Sequence, residues 1–319
     1  MQVARHVCTK LAFTAARTYS AFSAVQDGVL YINLTDECNS VTSLSLRGPG
    51  FRLSPERKFA PLFEEPTAAH ICDAVEAAYA KHEIQDIVFD NILGEPLLRL
   101  DVLLEASSLI KKKRHGVPLT IRTNGLCGSK GAEQLSTADP GDNFGFKNLH
   151  VEVALQAHSP LDYQKIMLPQ VATVAFSNVC SFLVRIVELI GGESVTCTVI
   201  KSPGVQTSSI QQLASSLGVG HFSILPFFPH DYYDLLAVDV DASMEEIKGA
   251  FRELAMSLHP DKNQGADPDV LNRLAAQFTR VNTAFETLSD PIARHAYDMS
   301  SAVALEHKRD ELRRKQQQT

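Results

Sequence analysis

Between Val29 and Phe228 the chain alternates short runs of β-branched and aromatic residues with longer amphipathic runs, and this alternation leaves few ways to fold. Strand-like character falls at residues 30–34, 86–90, 118–122, 149–155, 194–200 and 221–227, and helical spacing at 68–81, about 98–113, 184–190 and 208–217. Strands interleaved with helices pair in parallel, because a parallel neighbour is reached through a crossover that is usually helical. The pattern predicts six βα units, arranged as an open doubly wound sheet or a partial barrel. Residues 125–147 are rich in Gly, Asp, Ser and Asn where the third crossover helix belongs, so that unit is expected to be shortened or irregular. From Asp231 onward the spacing is purely helical, which makes a second domain.

Composition narrows the functional classes. Apolar residues are 45% and charged residues 21% of the chain, so most of it is expected to bury a core. The formal net charge of -7 offers no general attraction to nucleic acid or anionic lipid. No uninterrupted apolar run approaches the length of a membrane span, so a soluble protein without a span is expected. Cys8, Cys38, Cys72, Cys127, Cys180 and Cys197 are scattered without a CxxC pair, which is neither a disulfide framework nor a zinc-finger spacing and suits a reducing compartment.

The first acidic residue is Asp27, and Arg5, Lys10 and Arg17 precede it among Ala, Ser and Thr. On a helix Val3, Val7, Leu11 and Ala15 form an apolar row with the basic residues outside it, the character of a mitochondrial transit peptide, and residues 17–20 resemble a matrix presequence cleavage site. Residues 1–26 are therefore expected to direct import to the mitochondrial matrix, with the cytoplasm as the runner-up. Residues 299–319 are a charged tail.

The C-terminal pattern can be read physically. Ser243 is a natural N-cap, with Glu245 and Glu246 in the first turn where the helix dipole favours negative charge. Ile247, Phe251, Leu254, Ala255 and Leu258 form an apolar stripe, and Pro260 ends the helix because it disfavours helical geometry at His259. A second stripe of Leu274, Phe278, Val281, Ala284, Phe285 and Leu288 starts near Val270, so the two helices are expected to pack antiparallel with the 259–261 tripeptide at the exposed tip.

Carried by DYYDLLAV, EIKGAFRELAMSLHPDKNQG and FTRVNTAFETLSDPIARHAYD, residues 231–298 resemble the J-domain of the DnaJ cochaperone family. The resemblance implies that His259, Pro260, Asp261, Lys248, Phe251, Arg252, Lys262 and Asn263 dock on a DnaK-type ATPase chaperone of the heat-shock 70 class and accelerate its ATP hydrolysis. On this reading Asp261 pairs with a partner arginine, Pro260 and His259 set the loop, and Lys248, Arg252 and Lys262 meet an acidic patch. Gly249, Glu253 and Ser257 stand where the family commonly has basic residues, which predicts weaker or partner-restricted docking. A Gly/Phe-rich linker and the CxxCxGxG repeats of the fullest members are missing from the sequence, so the other domain is expected to set location or client.

Residues 29–228 resemble radical S-adenosylmethionine enzymes, nearest the group associated with TatD-type nucleases. The resemblance rests on YINLTDEC ending the first strand, Gly94, Glu95 and Pro96 after the second, Thr123 and Asn124 after the third, and VEVALQAH in the fourth. It implies a partial (β/α)6 barrel over residues 27–228, followed by an all-α J-domain over 229–298. Those enzymes hold an iron–sulfur cluster through CxxxCxxC, and the matching positions here are Cys38, Thr42 and Ser45. Hydroxyls stay protonated at neutral pH and do not replace thiolates, so the cluster chemistry is expected to be lost, leaving a pseudoenzyme with no cofactor. The Gly94–Glu95 backbone remains a place where an adenosylmethionine-like amino group could bind. Cys127 is expected at the same mouth as Cys38, and residues 111–114 (KKKR) read as a basic helix end. A cochaperone with a targeting or client-binding barrel is the first functional reading, and an assembly subunit of a mitochondrial complex that uses the J-fold as an interaction surface is the second.

Overall fold

The computed structural model describes residues 22–51, 53–54, 62, 64–136, 148–228, 230–258, 262 and 267–300. Two compact units divide the chain: residues 1–46 and 54–226 in the first, Arg47–Leu53 and Phe227–Thr319 in the second.

The first unit is built on one seven-stranded sheet whose strands lie in sequence order: β1 (Ser23–Gln26), β2 (Val29–Ile32), β3 (Asp86–Phe89), β4 (Leu119–Thr123), β5 (Leu149–Ala154), β6 (Val195–Ile200) and β7 (His221–Leu225). β2 to β7 pair in parallel, and β1 joins antiparallel to β2 through the turn at Asp27 and Gly28. This is the partial (β/α)6 barrel, with one extra edge strand. Residues 23–26 thus belong to the sheet although the sequence reading gave them to the transit peptide; residues 1–21 lie outside the described residues. The two-residue turn, with Asp27 at φ 50° and Gly28 at φ 76°, makes the antiparallel pair, and helical periodicity has no power to show it.

The described α-helices of the first unit are α1 (Ser43–Leu46), α2 (Ala68–Tyr79), α3 (Leu100–Lys113), α4 (Gly128–Ser136), α5 (Pro160–Met167), α6 (Ala172–Ile190) and α7 (Thr207–Ser216). Sequential parallel strands with right-handed crossovers place their helices on one face of the sheet. That face is the apolar one: Leu30, Ile32, Ile87, Phe89, Ile121, Val151, Val153, Cys197 and Val199 share a core with Ile71, Leu103, Leu135, Phe182 and Ile210. α4 occupies the stretch expected to be irregular. Its Gly128, Gly131, Ala132 and Leu135 are buried, and a Cβ at the preceding Gly125 would sit only 3.1 to 3.3 Å from Val179, Val153 and Phe182. Small residues that read as loop in the sequence here permit close approach to α6. α6 is long and apolar enough by length and composition to cross a membrane, yet its Ala175, Val179, Phe182, Leu183 and Ile186 are buried in the core of this unit.

The second unit holds α8 (Tyr232–Leu236), α9 (Met244–Leu258), α10 (Pro268–Leu288) and α11 (Pro291–Ser300). Ser243 caps α9 as expected: Glu246 N donates to Ser243 Oγ at 3.3 Å, and Ser243 N donates to Glu246 Oε2 at 2.6 Å. Ile247, Val281, Ala284 and Leu288 are buried between α9 and α10, where the Phe251 and Phe285 rings stack at 4.0 Å. α8 is tied to α11 by the stacked Tyr232 and Tyr297 rings, 4.3 Å apart, and by Tyr232 N donating to Tyr297 Oη at 2.7 Å. Arg47–Leu53 also belongs to this unit, which the sequence reading placed in the barrel. Gly50 N donates to Phe228 O at 3.0 Å, Phe228 N donates to Arg47 O at 2.8 Å, and the Arg47 guanidinium lies 4.4 Å from the Phe51 ring. Gly48, at φ 91°, permits the approach, since a Cβ there would meet the Phe228 carbonyl oxygen at 2.5 Å.

Replacing Phe251 with Ala removes a half-buried stacked ring and is expected to destabilise the second unit by about 2–3 kcal/mol, while Phe251→Leu costs less than half as much. Differential scanning calorimetry of the full chain tests this: only the transition of the second unit moves.

Candidate functional site

Two separate places carry the residues singled out in the sequence. In the second unit, Lys248 and Arg252 are both exposed on α9, one turn apart, and Arg252 Nε donates back to the Lys248 carbonyl at 3.1 Å. Lys262 is exposed as well. His259, Pro260, Asp261 and Asn263 lie outside the described residues. The Phe251 ring stacks on Phe285 across the helical hairpin, half-buried, because its position in the α9 stripe faces α10. Nothing in the environment of Gly249 comes within 4 Å of a Cβ built there, so this face of α9 is open and lacks a side chain where a basic one is common.

In the first unit the loops after β2, β3 and β4 meet around Glu95. This carboxylate is 2% exposed, and it accepts from Thr123 Oγ1 at 2.6 Å, Asn124 N at 2.8 Å and Leu97 N at 3.1 Å. Glu95 N donates to Glu37 O at 2.8 Å, and a Cβ on Gly94 would overlap the Thr35 carbonyl, which explains glycine there. Pro96 opens the short 3₁₀ turn that follows. Asn124 Nδ2 then donates to Asn39 Oδ1 at 2.7 Å and to Ser40 Oγ at 3.1 Å. The sequence-selected Gly94, Glu95, Pro96, Thr123 and Asn124 are therefore one hydrogen-bonded knot, and Asn39 and Ser40 complete it. Burial pushes the Glu95 carboxyl up to about 7, against the three donors that hold it down.

The positions that match cluster ligands do not fit an iron–sulfur cluster. Thr42 Oγ1 and Ser45 Oγ are hydrogen-bonded to each other at 2.9 Å, and Thr42 Oγ1 also accepts from Ser45 N at 3.2 Å at the start of α1. Two hydroxyls serve as a helix cap where thiolates would be needed, and Cys38, half-buried with Sγ 3.9 Å from Ser40 Oγ, is the one sulfur of the three. Among the described residues no group of three His, Cys, Asp or Glu side chains could hold a metal ion. Cys127 is an exposed residue whose sulfur packs against Gly131 in α4, and desolvation by the surrounding chain, with the nearby Glu95 charge, pushes its thiol up.

The sequence reading missed the segment that braces this loop from the far side. Val41 N donates to Met167 O at 2.8 Å, and Gln170 N donates to Asn39 O at 2.9 Å. Tyr163 on α5 is fully buried, edge-on to Phe176, and its hydroxyl is raised by burial and by the charge of Glu95. No local spacing marks these contacts, because they join residues about 130 apart in the chain.

Comparison with known proteins divides along the same line. The DnaJ domain family matches residues 231–298, and this segment is a J-domain. It is 49% identical over 70 residues to "Chaperone protein DnaJ" of Salinibacter ruber, covering 22% of this chain and 17% of that protein. It is 45% identical over 76 residues to "DnaJ homolog subfamily C member 11" of Bos taurus, covering 24% of this chain and 13% of that protein. The matched stretch thus spans less than a fifth of these relatives. Among solved structures, a radical SAM methyltransferase from Sphaerobacter thermophilus aligns with TM-score 0.46 and 14% identity over 79% of this chain and 63% of that one. Streptococcus suis SuiB bound to S-adenosylmethionine aligns with TM-score 0.45 and 13% identity over 82% of this chain and 50% of that one.

Glu95 makes the first unit sensitive to pH. Its folded value of about 7 lies above the ordinary 4.5, so the folded state keeps a proton that the unfolded state has already lost. Stability from this group is complete below about 4.5, declines as pH rises, and is gone above about 7, a span of ~3 kcal/mol. Glu95→Gln is expected to flatten that decline. Amide hydrogen exchange at Asn124 and Leu97, followed from pH 5 to pH 8 and corrected for intrinsic rates, reads it; an unchanged slope in the variant rejects the assignment.

Proposed function

We propose that this protein is a J-domain cochaperone that stimulates ATP hydrolysis by a DnaK-type chaperone of the heat-shock 70 class. One observation carries the reading: the J-domain of residues 231–298 keeps the His259-Pro260-Asp261 sequence directly after a helix whose Lys248 and Arg252 are exposed together. A J-domain performs no chemistry of its own. It acts by binding the hydrolysis-competent conformation of the partner more tightly than the resting one, and its rate effect is bounded by that difference. The exposed cations on α9 give an attraction that speeds encounter with an acidic partner surface and weakens with salt. Gly249, Glu253 and Ser257 dilute the charge of that face, which supports a restricted choice of partner.

The partial barrel is read as a non-catalytic targeting or client-binding module. The support is chemical: one thiol and two mutually bonded hydroxyls stand at the ligand positions, and the Glu95 carboxylate already has three protein donors. The basic, acid-free residues 1–21 support delivery to the mitochondrial matrix.

Single-turnover ATP hydrolysis by a mitochondrial DnaK-type chaperone tests the proposal. Full-length protein is expected to accelerate the step, His259→Gln to abolish at least about nine-tenths of that acceleration, and Lys248→Glu with Arg252→Glu to lower it about tenfold and remove its salt dependence. Phe251→Leu is expected to retain it. Absence of acceleration, or acceleration indifferent to His259→Gln, rejects the cochaperone reading.

A further inference from the structure

At the end of the first unit where β2 to β7 finish and the loops that follow them meet, large apolar side chains are left in water. Leu98, Leu161, Leu168, Val171 and Val174 are 45–70% exposed. All five belong to this mouth: Leu98 lies in the turn after β3, Leu161 and Leu168 flank α5 after β5, and Val171 and Val174 stand where α6 begins. The loop after β2 ties them together. Arg99 Nη1 donates to Leu34 O at 3.2 Å, Val41 N to Met167 O at 2.8 Å, Gln170 N to Asn39 O at 2.9 Å and Gln170 Nε2 to Cys38 O at 3.4 Å. Leu168 is set at φ 41° and ψ 53°, the left-handed position after a helix where glycine or asparagine is usual. Neither that backbone nor packing inside the unit accounts for a leucine there, and exposed apolar groups gathered in one place mark a contact surface.

The chain enters the unit at the same end. β1 runs antiparallel to β2, so it starts beside the finish of β2: Ser23 pairs with Ile32, and the buried Phe22 accepts at its carbonyl from Asn33 N at 2.7 Å. Residues 1–21 therefore depart from the mouth. Carboxylates surround that point. Glu65 Oε1 accepts from Thr35 Oγ1 at 2.5 Å, Asp36 Oδ2 accepts from Leu62 N at 2.8 Å, and Glu37 and Glu64 are exposed beside them. Among the described residues the cation in this group is Arg99, 3.2 Å from Glu65, while Lys165 and Lys201 lie farther round, after β5 and β6. Four carboxylates around one guanidinium favour a basic occupant.

We infer that residues 1–21, in the chain that carries them, fold back as an amphipathic helix over this mouth. The apolar row of Val3, Val7, Leu11 and Ala15 covers the joint of α5 and α6, and Arg17 stays beside the carboxylates at the point of departure. The reach is sufficient: from Asn33 to Asn39 the loop spans at most roughly 21 Å, and 15 helical residues cover roughly 22 Å. The segment is already tethered at this end, so docking costs only the closure of a short loop, and it brings both the apolar row and the positive charge that the surface calls for. The inference stands apart from the cochaperone reading and from any later removal of the segment, which would uncover the apolar surface.

Trypsin cleavage after Arg5, Lys10 and Arg17, together with amide exchange over residues 161–174, tests this in the full-length protein under native conditions. Wild-type cleavage at these sites is expected to be slow at every protein concentration and faster at high salt. Leu11→Glu in the segment and Leu168→Gly in the surface are each expected to speed it about tenfold, and Leu11→Glu to raise exchange over 161–174 as well. Leu168→Gly deletes a side chain at a position glycine adopts readily, so an unchanged calorimetric melt shows that its effect is on docking and not on folding. Cleavage of the wild type as fast as in denaturant overturns the inference. So does protection that grows with protein concentration, which would mark a second copy as the occupant, or protection unchanged in Leu11→Glu and in folded Leu168→Gly.

Discussion

Burying one carboxylate organises the first unit. Glu95 sits where the loops after β2, β3 and β4 converge, and a charge placed there is tolerable only because Thr123, Asn124 and Leu97 all donate to it. Those donors fix the loop after β4, whose Asn124 reaches the Asn39–Ser40 turn, so that the segment from Cys38 to Ser45 has one position. The positions that would hold a metal cluster in the enzymes the sequence resembles are thus held by hydrogen bonds alone. Thr42 and Ser45 cap a helix with their hydroxyls. The loop is held rigid through protein contacts, which is what a binding surface requires.

The second unit is ordered differently, by packing helices against one another. Its order comes from apolar contact, Phe251 on Phe285 and Ile247 against Val281, Ala284 and Leu288, together with the tyrosine stack that holds α8 to α11. Because that core occupies one side of α9, the opposite side is left for Lys248 and Arg252. The same helix therefore stabilises the unit with one face and is available to a partner with the other. Phe251 shows how fine the division is: one residue before Arg252 in sequence, it packs half-buried against the core.

Much of this was legible before any fold was known. Six strand segments, the capped helix at Ser243 and the hairpin spacing follow from local periodicity, and each is present in the structure. β1 was not legible, because it pairs through a two-residue turn and lies next to a basic, acid-free stretch that reads as an address. α4 was not, because glycines chosen for close helix contact resemble loop. The strap of Arg47–Leu53 against Phe228 was not, because its partners are about 180 residues away.

The sequence by itself determined the two kinds of domain and the identity of the C-terminal one, since periodicity and a contiguous motif are local properties. Only the tertiary structure decided that Glu95, Thr123, Asn124, Asn39 and Ser40 form one knot and that the Phe251 ring stacks on Phe285. Those facts depend on strand register and loop closure, which bring together residues far apart in the chain and leave no trace in local spacing.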